Sequence, residues 1–199
     1  MTKTLMILRQ AKSSWKDKNL KDYNRPLKKK GEEAAELLGK IIAHGKFQPD
    51  IILSSPAKRT KETAEIVSKF SEYKGPVDFV DAFYMGEPGD YIRSLRHLPD
   101  DVNRAMVVGH TPGLEALMQM LEGTVNALST GAMGILDLEL SHWGDLNSST
   151  VGKLVKFWDP EEMDLKAIEE KMAQEKKDKK DKKDKKEKKE KKSKKKDKK

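Results

Sequence analysis

Residues 50–70 read DIILSSPAKRTKETAEIVSKF, a short apolar run that passes through Ser55-Pro56 into a segment whose Ala64, Val67 and Phe70 recur at helical spacing. The run Asp50–Ser54 has the length and composition of a buried strand. Ser55 stands where an N-cap belongs and Pro56 where the first helical residue belongs. A strand feeding directly into a helix is half of a βαβ unit, so the flanking segments decide the fold.

Upstream, Thr4–Gln10 (TLMILRQ) is another short apolar run, ending in the polar pair Arg9-Gln10. Between the two strands, Lys29–Ala43 sets Ala34, Leu37, Leu38, Ile41 and Ile42 on one helical stripe, with Gly45 at the expected stop. Downstream, Val77–Asp81 reads as a strand, followed by a loop over Gly86–Gly89 and a helix carrying Tyr91, Ile92, Leu95 and Leu98 that Pro99 ends. Arg104–Gly109 (RAMVVG) is a fourth strand, and Thr111-Pro112 opens a helix striped by Leu114, Leu117, Met118 and Leu121. Met118 and Met120 are expected in the core. The order βαβαβαβ predicts an α/β fold: three layers, a mostly parallel sheet with helices on both faces. Strands around Met133–Leu140 and Gly152–Trp158 have no helix between them and are expected to pair antiparallel. Asp159-Pro160-Glu161-Glu162 announces a last helix with Leu165, Ile168 and Met172 on one side. The predicted organisation is a globular domain over 1–159, an amphipathic helix over 160–175 and a disordered tail rich in Lys, Asp and Glu over 176–199.

The formal charge of +8 belongs to that tail. Residues 176–199 hold 17 Lys against 6 Asp or Glu, a net +11, so residues 1–175 carry −3 and give no electrostatic case for nucleic-acid binding. The tail reads either as solubilising disorder or as a polybasic contact to a polyanion such as an anionic membrane surface, nucleic acid or polyphosphate. The chain has no cysteine, which excludes disulfides, thiolate catalysis and Cys-based metal sites and fits a reducing cytoplasm. His44, His97, His110 and His142 are widely separated, so no metal is expected. The longest early apolar run is Leu5–Leu8, and nowhere is there the run of about 18 that spans a bilayer, so a cytoplasmic protein without a transmembrane segment is predicted.

In an open α/β sheet, ligands bind beyond the carboxyl ends of the strands. Three segments end there in polar groups: Arg9-Gln10-Ala11-Lys12, Ser54-Ser55-Pro56-Ala57-Lys58-Arg59 and Gly109-His110-Thr111-Pro112. Two lead into helices, whose N-termini favour anions, and Arg9 and Arg59 offer forked donors matched to phosphate oxygens. The predicted ligand is a phosphoryl group.

Together, Leu8-Arg9-Gln10-Ala11-Lys12-Ser13-Ser14-Trp15, Arg25-Pro26-Leu27 with Gly31, Ser54-Ser55-Pro56 with Arg59, Thr63 and Ala64, and Val108-Gly109-His110 with Pro112-Gly113 resemble the histidine phosphatase superfamily. More narrowly they resemble its small SixA-like phosphohistidine phosphatase branch, as do Thr130-Gly131-Ala132 before a strand and Trp143 in the turn after it. The resemblance runs from about residue 4 to 158 and implies a phosphoglycerate mutase-like fold. It implies a hydrolase that needs no cofactor or metal and removes phosphate from phosphohistidine through a phosphohistidine intermediate on the enzyme. Its substrate would be a phosphorylated signalling or relay protein, or a small phosphoester. By the same resemblance Arg9 and Arg59 clamp phosphate, His110 donates to the phosphoryl oxygens, and Lys12 and Thr111 lie at the pocket rim. Asp81 or Glu87 occupies the segment where relatives with a poor leaving group carry a general acid.

The chain departs from the family at one position. The nucleophilic His that follows the strand-end Arg is replaced by Gln10. An amide nitrogen's lone pair is delocalised into its carbonyl, so Gln10 cannot form the covalent intermediate, yet it can hydrogen-bond a phosphate. The expectation is an impaired or inactive phosphatase. The alternatives are a pseudophosphatase that binds phosphate or a phosphoprotein, and a scaffold acting through its polybasic tail.

Overall fold

Strand β1 (Lys3–Arg9) is buried on both faces: Leu5, Met6, Ile7 and Leu8 are all fully inaccessible. This is why its sequence is continuously apolar instead of alternating. The computed structural model describes residues 2–124, 127–163, 167–168 and 170–174. Residues up to Met163 make up one unit, to which the following elements belong. After β1 come α1 (Lys29–Gly45), β2 (Ile51–Ser54), α2 (Lys58–Phe70), β3 (Val77–Phe79), α3 (Pro88–Leu95), β4 (Arg104–Gly109), α4 (Gly113–Glu122), β5 (Met133–Leu138) and β6 (Gly152–Trp158).

The six strands form one sheet in the order β3-β2-β4-β1-β5-β6. The β3–β2, β2–β4 and β4–β1 pairs are parallel, and β1–β5 and β5–β6 are antiparallel. The α/β architecture with a largely parallel sheet is thus as expected, with the two antiparallel pairs confined to one edge. Leu5 and Ile7 of β1, Ala105 and Val107 of β4 and Leu136 and Leu138 of β5 share a core with Tyr91 and Leu95 of α3 and Leu114, Leu117, Met118 and Leu121 of α4. Helix α2 packs on β2, β3 and β4, and α1 packs on α2. The chain leaves the adjacent carboxyl ends of β1 and β4 toward different helices, α1 and α4, and it is beyond such strand ends that open α/β sheets bind ligands.

Several boundaries differ from the sequence reading. Helix α2 starts at Lys58, three residues after Ser55, and its N-cap is Ala57 with no side-chain cap. Ser55 is fully buried and bonded elsewhere, as described below. Helix α1 continues through Gly45, and Lys46 takes the left-handed cap at φ 55°. Helix α3 begins at Pro88, where Glu87 and Asp90 cap each other's backbone reciprocally, and ends at Leu95, so Leu98 lies beyond it. Helix α4 begins at Gly113, with Pro112 as N-cap. Strand β3 stops at Phe79 and Asp81 starts a short 3-10 turn. Met120 is 39% exposed, since it lies off the stripe that buries Met118. The predicted tail, 176–199, lies outside the described residues. Of the helix predicted over 160–175, residues 160–162 form a turn, and 167, 168 and 170–174 are helical.

Candidate functional site

The parallel ladder continues just past the strands. Arg9 pairs with Gly109, Gln10 N donates to Gly109 O (3.1 Å), and Ser55 N donates to Val108 O (2.9 Å). Arg9, Gln10, Ser55 and His110 are therefore brought to one end of the sheet. Arg59 joins them from the first turn of α2, where its side chain is 4% exposed.

His110 is 3% exposed. Its Nδ1 lies 3.2 Å from Arg59 Nη2 and its Nε2 2.9 Å from Ser55 Oγ. Burial, then the charge of Arg59, pushes its pKa down from 6.5 to about 4, with Arg9 and Arg25 adding and Asp22 opposing. The imidazole is therefore neutral near pH 7.

The segment between β1 and α1 returns on itself through a bridge between Ser13 and Leu27, with Ser14 N donating to Pro26 O (2.8 Å) and Lys28 N to Lys12 O (2.8 Å). Gly31 lets α1 approach closely here, because a Cβ on it would overlap the Lys12 carbonyl. At the far end of the segment, a 3-10 turn over Asp22–Asn24 delivers Asp22 and Arg25. Asp22 Oδ1 accepts from Arg25 Nε (2.9 Å) and lies 2.8 Å from Arg25 Nη2, while Oδ2 lies 2.9 Å from Arg59 Nη2. Tyr84 OH donates to Oδ2 (3.1 Å), and its ring meets that of His110 edge-on at 5.7 Å. Although burial opposes it, these contacts with Arg25, Arg59 and Tyr84 hold the Asp22 pKa below its ordinary value. Arg25 also donates to Ser13 Oγ (2.8 Å) and stacks on Trp15, its Cζ 3.6 Å from the ring centroid.

The remaining predicted residues divide. Arg9 Nη1 donates to Leu128 O (2.5 Å). Lys12 Nζ is half exposed and 4.0 Å from Glu161 Oε1, and Thr111 is half-buried next to His110 in the chain. Asp81 is exposed in its turn and Glu87 caps α3, and neither carboxylate contacts Arg9, Arg59 or His110. Asp22, Arg25, Tyr84 and Ser55 complete the cluster. The only sequence signal for them was the Arg25-Pro26-Leu27 motif and the Ser54-Ser55-Pro56 motif, neither of which named a partner.

Three side-chain atoms at this edge are buried without a hydrogen-bond partner: Arg9 Nε, Gln10 Oε1 and Arg59 Nε. Buried polar atoms are paired in the great majority of cases, so such a concentration marks a place for a polar ligand. Three guanidinium groups with one carboxylate and a neutral imidazole leave net positive charge, the electrostatics of an oxyanion site. Among the described residues no group of three or more acidic or His side chains is arranged to hold a metal, and no helix is long and apolar enough to cross a membrane.

Residues 5–83 match the histidine phosphatase superfamily, branch 1. An uncharacterized chloroplastic protein of Arabidopsis thaliana is 32% identical over 154 residues, which cover 72% of this chain and 70% of that protein. An uncharacterized protein of Mycobacterium tuberculosis is 27% identical over 150 residues, 70% of this chain and 91% of its own. In three dimensions the chain is similar to a protein of Agrobacterium tumefaciens assigned to the SixA phosphohistidine phosphatases, with TM-score 0.67 at 24% identity, covering 80% of this chain and 99% of that one. It is similar as well to the protein histidine phosphatase SixA in complex with tungstate, with TM-score 0.68 at 21% identity, covering 81% and 99%.

Proposed function

The chain belongs to the histidine phosphatase superfamily, and from that premise we propose that it binds a phosphoryl group through Arg9, Arg59 and His110 with little or no covalent turnover. The observation that carries the proposal is the pair of buried donors without a partner, Arg9 Nε and Arg59 Nε, on two guanidiniums whose charges both act on His110. In active relatives, as the family resemblance implies, an imidazole nitrogen at the position of Gln10 attacks phosphorus while the bond to the leaving group breaks, and water then splits the N–P bond. The Gln10 amide has no such lone pair. Nor does His110 replace it, since its one lone pair, on Nδ1, accepts from Arg59; its Nε2–H, which meets Ser55 Oγ, is the donor it would turn to a phosphoryl oxygen.

The ligand class we assign is a phosphorylated protein, with N-phosphorylated histidine foremost. Trp15 (68% exposed) stacks on Arg25, and Met85 (59%), Leu20 (39%) and Tyr23 (37%) lie within two residues of Tyr84 or Asp22, and such exposed apolar side chains support a macromolecular ligand over a small one. An N–P bond needs less help from a general acid than an ester, which agrees with a cluster that neither Asp81 nor Glu87 enters.

The test compares the chain with its Gln10→His variant. Both are expected to bind tungstate, while Gln10→His hydrolyses a phosphohistidine protein at least about a thousandfold faster and accumulates an acid-labile phosphoenzyme. Equal and high turnover in the two proteins would overturn the proposal.

A further inference from the structure

The Asp22 carboxylate already takes the donors that a phosphoryl group would use. Its Oδ2 is 2.9 Å from Arg59 Nη2, and its backbone carbonyl accepts from Arg59 Nη1 (2.8 Å). Both terminal nitrogens of Arg59 thus meet Asp22, Nη2 serves His110 as well, and Nε is buried and unpartnered. On the other side, Oδ1 holds Arg25 through Nε and Nη2. An oxyanion that is to take both terminal nitrogens of Arg59 must exchange with Asp22.

We propose that Asp22 is a resident anion of the pocket that yields Arg59 to a dianionic phosphoryl group but not to a monoanion, and so sets the charge selectivity of the site. This rests on the reading of the pocket as a phosphoryl site. Three features support exchange over a permanent strut. The Arg59 side chain is 4% exposed, whereas that of Asp22 is 39% exposed and lies at the solvent boundary. The turn that carries Asp22 is only three residues long, and its closing bond, Arg25 N to Asp22 O, is 3.3 Å. The carboxylate also leaves Arg9 Nε and Arg59 Nε unpartnered, donors that a tetrahedral group with more oxygens can engage.

The selectivity follows from charge. A monoanion that displaces a carboxylate exchanges one negative charge for another and gains little, and the displaced Asp22 must still be solvated. A phosphomonoester or phosphoramidate dianion brings a second charge to Arg9, Arg25 and Arg59 and gains in proportion. Phosphodiesters and sulfate esters, each a monoanion, are therefore disfavoured.

The test titrates inorganic phosphate and dimethyl phosphate into the full chain and its Asp22→Asn and Asp22→Ala variants by calorimetry. Asp22→Asn keeps the side chain's shape and removes its charge. It is expected to bind phosphate roughly tenfold tighter and dimethyl phosphate by a larger factor, so that the preference for the dianion narrows. Unchanged or weaker phosphate binding by a folded Asp22→Asn protein would show a strut and overturn the proposal. Should the variants fail to fold, the carboxyl carbon resonance of Asp22 in the unaltered chain decides: a shift on phosphate addition supports exchange, and a resonance unmoved at saturation overturns it. Absence of phosphate binding in every protein overturns the reading of the pocket itself, whereas binding without narrowed preference overturns only the role of Asp22.

Discussion

Arg59 Nη2 donates a hydrogen bond to Nδ1 of His110 across 3.2 Å. A guanidinium has no acceptor, so Nδ1 carries the lone pair and the ring proton sits on Nε2, which donates to Ser55 Oγ at 2.9 Å. One contact fixes the tautomer, and the other uses the proton that results. Protonating this imidazole in the folded chain places a second positive charge against Arg59, which is why burial and Arg59 hold the pKa at about 4.

Stability is expected to fall as pH drops from about 6.5 toward 4. Over that window His110 takes up a proton in the unfolded chain and not in the folded one, so its contribution is complete above pH 6.5 and lost progressively below it. The full effect, reached near pH 4, is on the order of 3 kcal/mol. Asp22, with its lowered pKa, adds a loss only as pH falls through the carboxylate range. Urea midpoints between pH 5 and 8 isolate His110: the unaltered chain should slope, and His110→Gln should be nearly flat. Identical slopes would remove His110 as the cause.

Ser55→Ala is expected to weaken tungstate binding about tenfold while costing about 1–3 kcal/mol of stability, because it leaves Nε2–H of a buried ring without a partner and lets the ring turn. A helix cap alone would predict the loss of stability with binding intact. Calorimetry on the folded variant separates the two.

That distinction marks where sequence reading succeeds and stops in this protein. Arg9, Gln10, Arg59 and His110 were legible because each sits at the end of an apolar run or the start of a helix, and parallel pairing then aligns those ends without further information. The role of Ser55 was not, because local pattern favours a cap, whereas the hydroxyl, which accepts from Ala57 N at 3.4 Å, also meets a residue 55 positions away. Asp22 reaches Arg59 across 37 positions and Tyr84 across 62, from segments with no periodicity to read. Only the folded chain pairs them. The start of α3 shows the same limit on a smaller scale, where Glu87 and Asp90 cap each other ahead of the apolar stripe.

Gly113→Ala is expected to destabilise the fold by about 2–4 kcal/mol, read as a fall in melting temperature of roughly 5–15 °C. A Cβ there would overlap the carbonyl oxygen of Gly86, and backbone cannot swing aside as a flexible side chain can. The displaced loop begins two residues after Tyr84, so the variant should also loosen the Tyr84 contact with Asp22. Gly89→Ala, where an added Cβ meets nothing, is the matched control and should leave melting nearly unchanged.

Arg25→Lys keeps the charge of Arg25 and is nonetheless expected to behave as a loss. The Arg25 side chain, 8% exposed, uses Nη1 on Ser13, Nε and Nη2 on Asp22 and its guanidinium face on Trp15, tying the two ends of the 13–25 segment together. An ammonium is a single point with three rotatable donors and no planar face, so it cannot serve Ser13, Asp22 and Trp15 at once. With the clamp broken, Asp22 has Arg59 as its one remaining guanidinium and should hold it more tightly. Tungstate binding is therefore expected to weaken about tenfold, and a protease should cut the 13–25 segment faster, with global stability down by about 1–2 kcal/mol. Limited proteolysis followed in time, beside calorimetric titration, checks both. If Arg25→Lys matches the unaltered chain in cleavage rate and affinity, charge alone explains Arg25 and the clamp has no functional weight.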